Sequence, residues 1–173
     1  VVKVSAKDSG EGNGGAIYVG TLNEVSILGT NFHNNSAKEC GGALILLSSN
    51  VVNISNSVCF GNIGNVGGGI CVLEKSSLNF YGKNIIQKNE ASVFGGGIIA
   101  INSYFPNNAD ALSRLYLVEN RARFGSAMYL SSVKLSTVLE VASTVIEMPV
   151  KFQNVNFTYN HAVQGGTLFW EYG

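Results

Sequence analysis

Charge is scarce in this chain. Only 13% of its 173 residues are Asp, Glu, Lys or Arg, where globular domains average about 25%. The few charges cancel to a formal net charge of zero, so no basic or acidic excess points to nucleic acid or to a charged membrane surface. Proline is nearly absent, with only Pro106 and Pro149. No apolar run approaches the roughly 18 residues of a membrane-spanning helix. Aspartate occurs only at Asp8 and Asp110, and the nine glutamates are dispersed. That argues against the paired carboxylates of glycoside hydrolysis and the clustered acidic ligands of a calcium site. Glu140 and Glu147 share one irregular segment but no repeat position, so the sequence implies no enzyme, metal or cofactor. Cys40, Cys59 and Cys71 are the only cysteines. An odd number is not a disulfide framework, and they lack the close pairing of a zinc site. The chain opens at Val1 without a signal-like leader and stops within the apolar run Phe169-Trp170. Both ends are expected to belong to a longer protein.

Glycine, asparagine and β-branched residues are abundant instead: 21 Gly and 20 Asn in a chain that is 46% apolar. This composition favours short strands and tight turns. The glycines are periodic. Gly14-Gly15-Ala16-Ile17 recurs as Gly41-Gly42-Ala43-Leu44, Gly67-Gly68-Gly69-Ile70 and Gly95-Gly96-Gly97-Ile98. Weaker copies are Gly125-Ser126-Ala127-Met128 and Gly165-Gly166-Thr167-Leu168. The start-to-start spacings are 27, 26, 28, 30 and 40 residues. A second mark keeps step: an apolar residue with Asn three places later, as Phe32 and Asn35, Cys59 and Asn62, Ile86 and Asn89, Leu117 and Asn120, Phe157 and Asn160. A third is a period-2 alternation, Val25-Ser26-Ile27, Val52-Asn53-Ile54, Leu78-Asn79-Phe80 and Val150-Lys151-Phe152, the pattern of half-buried strands.

A unit of this length cannot bury its own apolar face, but stacked units share a core. About three short strands per unit, recurring in register, predict an all-β fold: a right-handed parallel β-helix of about six coils. At about 4.8 Å per coil its length would be roughly 29 Å. Residues 1–173 form one segment, with insertions at 102–113 and 131–148. The glycine pair is expected at a corner of positive φ or close backbone approach. Ile17, Leu44, Ile70, Ile98, Met128 and Leu168 form one inner column, and Phe32, Cys59, Ile86, Leu117 and Phe157 another. The asparagines are expected in left-handed turns, bonding to the next coil through their side-chain amides. The column Tyr18, Ile45, Cys71, Ile99, Tyr129 and Phe169 is placed outside, as an apolar docking strip; a one-residue slip would exchange the two faces instead. No two cysteines share a column in adjacent coils, which predicts no intrachain disulfide and a buried Cys59 in place of Phe.

These motifs resemble the repeats of the polymorphic outer membrane protein family, known from chlamydial surface adhesins. Gly14 to Ile17 and Gly41 to Leu44 match that family's Gly-Gly-Ala-Ile/Leu/Val motif. Phe32-His33-Asn34-Asn35 and Phe157-Thr158-Tyr159-Asn160 match its Phe-x-x-Asn motif. Cys59, Ile86 and Leu117 depart from it where Phe is expected, and the last two glycine motifs are degenerate. The resemblance covers nearly the whole chain except Ser131 to Met148. It implies a β-helix in a cell-surface or secreted protein that adheres to partners.

The resulting expectation is a non-catalytic adhesive or structural module that binds an unknown protein or glycan partner through its lateral surface. The alternatives are a carbohydrate-active β-helix whose catalytic coils lie elsewhere and a passive spacer. Arg114, Arg121 and Arg123, the only arginines, belong to one coil and are a candidate patch for anionic glycans. Asn34, Asn53 and Asn156 begin Asn-x-Ser/Thr sequons and are candidate glycosylation sites. His33 and His161 are expected as exposed turn residues. The two insertions are expected to emerge at one corner and, with Arg114, to form a binding surface.

Overall fold

A computed structural model describes residues 2–4, 12–21, 24–48, 50–104, 107–108, 112–131 and 152–171. Parallel strands stack in register in four sheets. The first sheet carries the residues after each glycine pair: Ile17–Val19, Leu44–Leu46, Ile70–Leu73, Ile98–Ile101, Met128–Ser131 and Leu168–Glu171. Each of these strands pairs with the next, so the expected register of the glycine motif holds. The second sheet contains Glu24–Leu28, Val51–Ser55, Ser77–Tyr81 and Asn107–Asn108. The third contains Val2–Val4, Thr30–His33, Val58–Phe60, Lys83–Gln87, Arg114–Val118 and Val155–Thr158. The fourth contains Ile63–Val66, Glu90–Phe94, Arg121–Ala122 and His161–Ala162.

The chain is thus an all-β parallel β-solenoid. It differs from the expected plan in two respects. A coil has four strand segments rather than three, because the stretch between each Asn and the next glycine pair also pairs between coils. Two sheets stack six strands but two stack only four, so about four turns are complete rather than six. The 102–113 stretch carries a second-sheet strand shortened to Asn107–Asn108, which pairs with Asn79 and Phe80. Residues 132–148 of the other insertion, together with Val150, Lys151, Asp8, Asp110, Glu140 and Glu147, lie outside the described residues. Phe152 belongs to no strand but packs against the core.

Alternation along the strands sends one set of side chains inward. Leu44, Ile70, Ile98 and Met128 from the first sheet meet Val52, Leu78 and Phe80 from the second and Phe32, Cys59, Ile86 and Leu117 from the third. The fourth sheet turns only small residues inward, with Ala91 and Ala122 buried beside Gly64. The glycine corner explains this. The first glycine of each pair has positive φ, for example +71° at Gly41. The second lies under backbone: a Cβ on Gly42 would stand 2.1 Å from the Gly68 carbonyl oxygen and 2.6 Å from that of Ile63. Both expected roles of the pair therefore occur: positive φ at the first member, and close backbone approach at both, since a Cβ on Gly41 would stand 2.4 Å from the Leu44 carbonyl oxygen.

The asparagine column forms a continuous ladder. The Nδ2 groups of Asn35, Asn62, Asn89 and Asn120 donate to Oδ1 of Asn62, Asn89, Asn120 and Asn160 in turn, at 2.7, 2.8, 3.0 and 3.0 Å. Each backbone N–H donates to the same oxygen at 2.9 to 3.0 Å. The second Nδ2 proton of Asn62, Asn89, Asn120 and Asn160 reaches back to the carbonyls of Phe32, Cys59, Ile86 and Leu117. The asparagines themselves are not left-handed, contrary to expectation. Positive φ falls on the preceding residue, Asn34, Gly61, Lys88, Glu119 or Tyr159, and this turn aims the asparagine side chain along the solenoid axis.

Removing one rung orphans several buried groups at once. Asn89→Ala would remove the acceptor of the Asn62 N–H and of one Asn62 Nδ2 proton, and the amide donor of the Cys59 carbonyl. Each buried orphan costs about 1–3 kcal/mol, so the substitution is expected to cost about 3–5 kcal/mol. Asn79, which donates to Asn53 on the outer side of the second sheet, is expected to cost less than about 1 kcal/mol when replaced by Ala. Chemical denaturation of the two variants checks this, and equal losses would remove the ladder from its role.

Candidate interaction surface

The four sheets present four outer faces with different chemistry. The outer face of the first sheet is covered by a second core. Ile45, Cys71, Ile99 and Tyr129 are at most 5% exposed although they point away from the solenoid interior. Phe94, Phe124, Phe169, Val66, Leu73 and Ile101 pack against them. The tight glycine turn folds the end of the fourth-sheet strand back against the first-sheet strand, so outward residues on either side of the corner meet. Neither a docking strip nor an exchange of faces accounts for this column: the inner column is inside and the outer one is buried too. Only its first member, Tyr18, is largely exposed. Tyr129 stacks on Phe169 with ring centroids 5.3 Å apart and donates its hydroxyl to Glu171.

The same corner joins Cys40 to Cys71, with Cα atoms 6.0 Å apart. This corrects the expectation of no disulfide. The two residues occupy different columns, one just before a glycine pair and one in the strand after the next pair. The bend brings those columns together, so the bond runs diagonally between adjacent coils. Cys59 is the remaining thiol and is buried between Phe32 and Ile86. Burial pushes its pKa up from 9.0 to about 12, against a smaller opposing effect of the Asn62 hydrogen bond.

On the fourth sheet the outer face is largely polar and charged, with Glu90, Ser92, Arg121, Arg123 and His161 exposed beside Ile63. Arg121 lies between Glu90 and His161 in register. Arg123 reaches Gln164 at 3.4 Å and lies over the Phe124 ring. Arg114 begins a third-sheet strand instead, so the structure brings together only two of the three arginines. The second sheet turns outward Ser26, Asn53 and Asn79 together with exposed Leu28, Val51 and Tyr81. Of the sequon residues, Asn34 is exposed at its turn and Asn156 is exposed on the third sheet, while Asn53 is half-buried beneath the Asn79 amide.

The third sheet has a flat outer face of half-buried Val58, Phe60, Ile85, Tyr116 and Val118. His33 closes a strand there, not a turn, and stacks on Phe60 with centroids 4.8 Å apart. His161 likewise opens a strand, and it is exposed. Lys83 Nζ lies 5.5 Å from the Tyr116 ring centroid and Lys88 Nζ 5.8 Å from that of Phe60. Lys88 also pairs with Glu119 at 3.5 Å. Sequence reasoning missed this face, although the alternation Val58-Cys59-Phe60 and Tyr116-Leu117-Val118, apolar on both parities, was its signal.

Among the described residues no three His, Cys, Asp or Glu side chains gather as metal ligands, and no helix is long and apolar enough to cross a membrane. Comparison with models of known families, with curated proteins and with solved structures finds no match.

Two measurements follow from the outer core. Native, unreduced protein is expected to take up no thiol reagent, unfolded unreduced protein one equivalent at Cys59, and unfolded reduced protein three. Labelling of more than one thiol in unfolded, unreduced protein would exclude the Cys40–Cys71 bond. Breaking that bond frees a loop spanning a sequence separation of 31 residues, which is expected to cost about 3–4 kcal/mol. The second concerns pH. Burial first, then the Glu171 hydrogen bond and charge, push the Tyr129 phenol from 10.0 to about 12. Above pH 10 the unfolded chain releases this proton while the folded chain holds it, so stability is intact below pH 10 and falls between 10 and 12. Tyr129→Phe is expected to flatten that fall in thermal unfolding curves; an unchanged slope would place the alkaline loss elsewhere.

Proposed function

We propose that the chain is a segment of a secreted or cell-surface adhesive module, a right-handed β-helix of the polymorphic outer membrane protein type, which binds a protein or glycan partner along its lateral surface. The observation that carries this reading is the Cys40–Cys71 cross-link between adjacent coils. Disulfides of this structural kind persist in oxidising, extracytoplasmic compartments and are rare in reducing ones. The solenoid supports the adhesive part. Its sheets offer long, nearly flat faces whose outer residues are free to vary while the inner ladder and core keep the coils in register. The Gly-Gly-Ala and Phe-x-x-Asn motifs of Gly41 to Ala43 and Phe32 to Asn35 support the family assignment, since both occupy structural corners.

Antibodies raised against the folded chain test the reading. They are expected to stain intact, unpermeabilised source cells or to find the protein in the medium, with Cys40 and Cys71 oxidised and Cys59 free. The soluble chain is expected to compete with the attachment of those cells to their surface. Protein found only after lysis, with all three thiols reduced, would overturn the proposal.

A further inference from the structure

The outer face of the third sheet differs from the other three. The first sheet's is covered by its own second core, the second sheet's mixes Ser26, Asn53 and Asn79 with exposed Leu28, Val51 and Tyr81, and the fourth sheet's carries charges of both signs beside exposed Ile63. The third combines a flat apolar centre with cations at both borders. Lys83 and Arg114 stand side by side on adjacent strands at one border, and Lys88 stands at the other. Against these three cations the described residues of this face set one carboxylate, Glu119. Among the described residues this is a local positive excess. Two of the ammonium groups also lie over outer aromatic rings, Lys83 over Tyr116 and Lys88 over Phe60.

Building on the adhesive reading, we propose that this face binds an acidic polysaccharide laid along the solenoid axis across the strands. The apolar faces of sugar rings suit the half-buried apolar surface of Val58, Ile85, Tyr116 and Val118 beside Phe60, whose own ring face is stacked on His33. Carboxylate or sulfate groups on the same rings would meet Lys83, Lys88 and Arg114. Adjacent strands repeat at about 4.8 Å, a step comparable with the rise of one sugar ring along an extended chain, so successive sugars would meet equivalent positions on successive coils. A flat, uncleft surface also suits a linear polymer better than a compact small molecule, which needs a concave site.

Titration of the folded chain with dextran sulfate, polygalacturonate and neutral dextran tests this. Both acidic polymers are expected to bind, with affinity falling as salt rises, and neutral dextran is not. The double variant Lys83→Glu/Lys88→Glu is expected to lose affinity by at least about tenfold, and Phe60→Ser to lose a comparable amount. Arg121→Glu/Arg123→Glu, on the fourth sheet, is expected to stay within about twofold. Thiol protection of Cys59 reports that each variant is folded. Equal binding of neutral dextran, failure of both acidic polymers to bind, or equal losses in the fourth-sheet variant would overturn the proposal. If the chain competes with cell attachment but binds neither acidic polymer, this inference fails while the adhesive reading stands.

Discussion

Everything in this solenoid depends on one requirement: each coil must close one strand spacing above the last, in the same register, with every buried amide satisfied. Sheet pairing meets the requirement along the strands. It continues through the glycine corner, where Gly14, Gly15 and Ala16 donate to the Cys40, Gly41 and Ala43 carbonyls of the next coil, but on either side of the third sheet one backbone N–H per coil has no carbonyl to meet. The asparagine stack solves the problem at the corner after the third sheet. One side chain per coil accepts from the backbone N–H and amide of the coil before it and donates to that coil's carbonyl. Serine and asparagine do a related job at the corner before the third sheet, where the Thr30 N–H donates to Ser57 Oγ and the Ser57 N–H to Asn84 Oδ1.

The glycine corner solves the opposite problem, too little room rather than too few partners. The fourth-sheet strand of the next coil passes directly under the second glycine, so any Cβ there would collide with backbone. Ser126 occupies that position in the fifth corner and is nevertheless fully buried, with its hydroxyl unpartnered among the described residues. The corner above it departs from the pattern as well: Gly166 has φ of +71°, unlike the second glycines below.

The stacked columns were legible in the sequence because they repeat: the glycines, the inner aliphatics and Asn35, Asn62, Asn89, Asn120 and Asn160 recur with the same offsets. The disulfide was not legible, for a physical reason. Comparing residues within a column tests contacts along the axis, whereas Cys40 and Cys71 meet across a corner. The signal lay in two positions flanking the glycines, one just before the pair and one four residues after its first member. Cys40 and Ile45, Val66 and Cys71, Phe94 and Ile99, Phe124 and Tyr129 are apolar at both. Two outward apolar columns on either side of a tight turn must pack on each other or face water, and that choice predicts a second core. The left-handed residue was misplaced because the turn was assigned to the asparagine itself, whereas Asn34, Gly61, Lys88, Glu119 and Tyr159 carry the positive φ.

The candidate surface follows from which alternations packing consumes. An inward column is fixed by the core and carries no information about partners. An outward apolar column is ambiguous until its neighbours around the corner are known. On the first sheet those neighbours are Val66, Phe94 and Phe124, and the column is consumed by packing. On the third sheet the residues flanking the outer face belong to turns that carry Lys88 and Glu119 on one side and Gly82 and Asn154 on the other. Among the described residues no second core forms there. Val58, Phe60, Ile85, Tyr116 and Val118 stay half-buried outside the inner core, and this is the ground for proposing the third face as a contact surface.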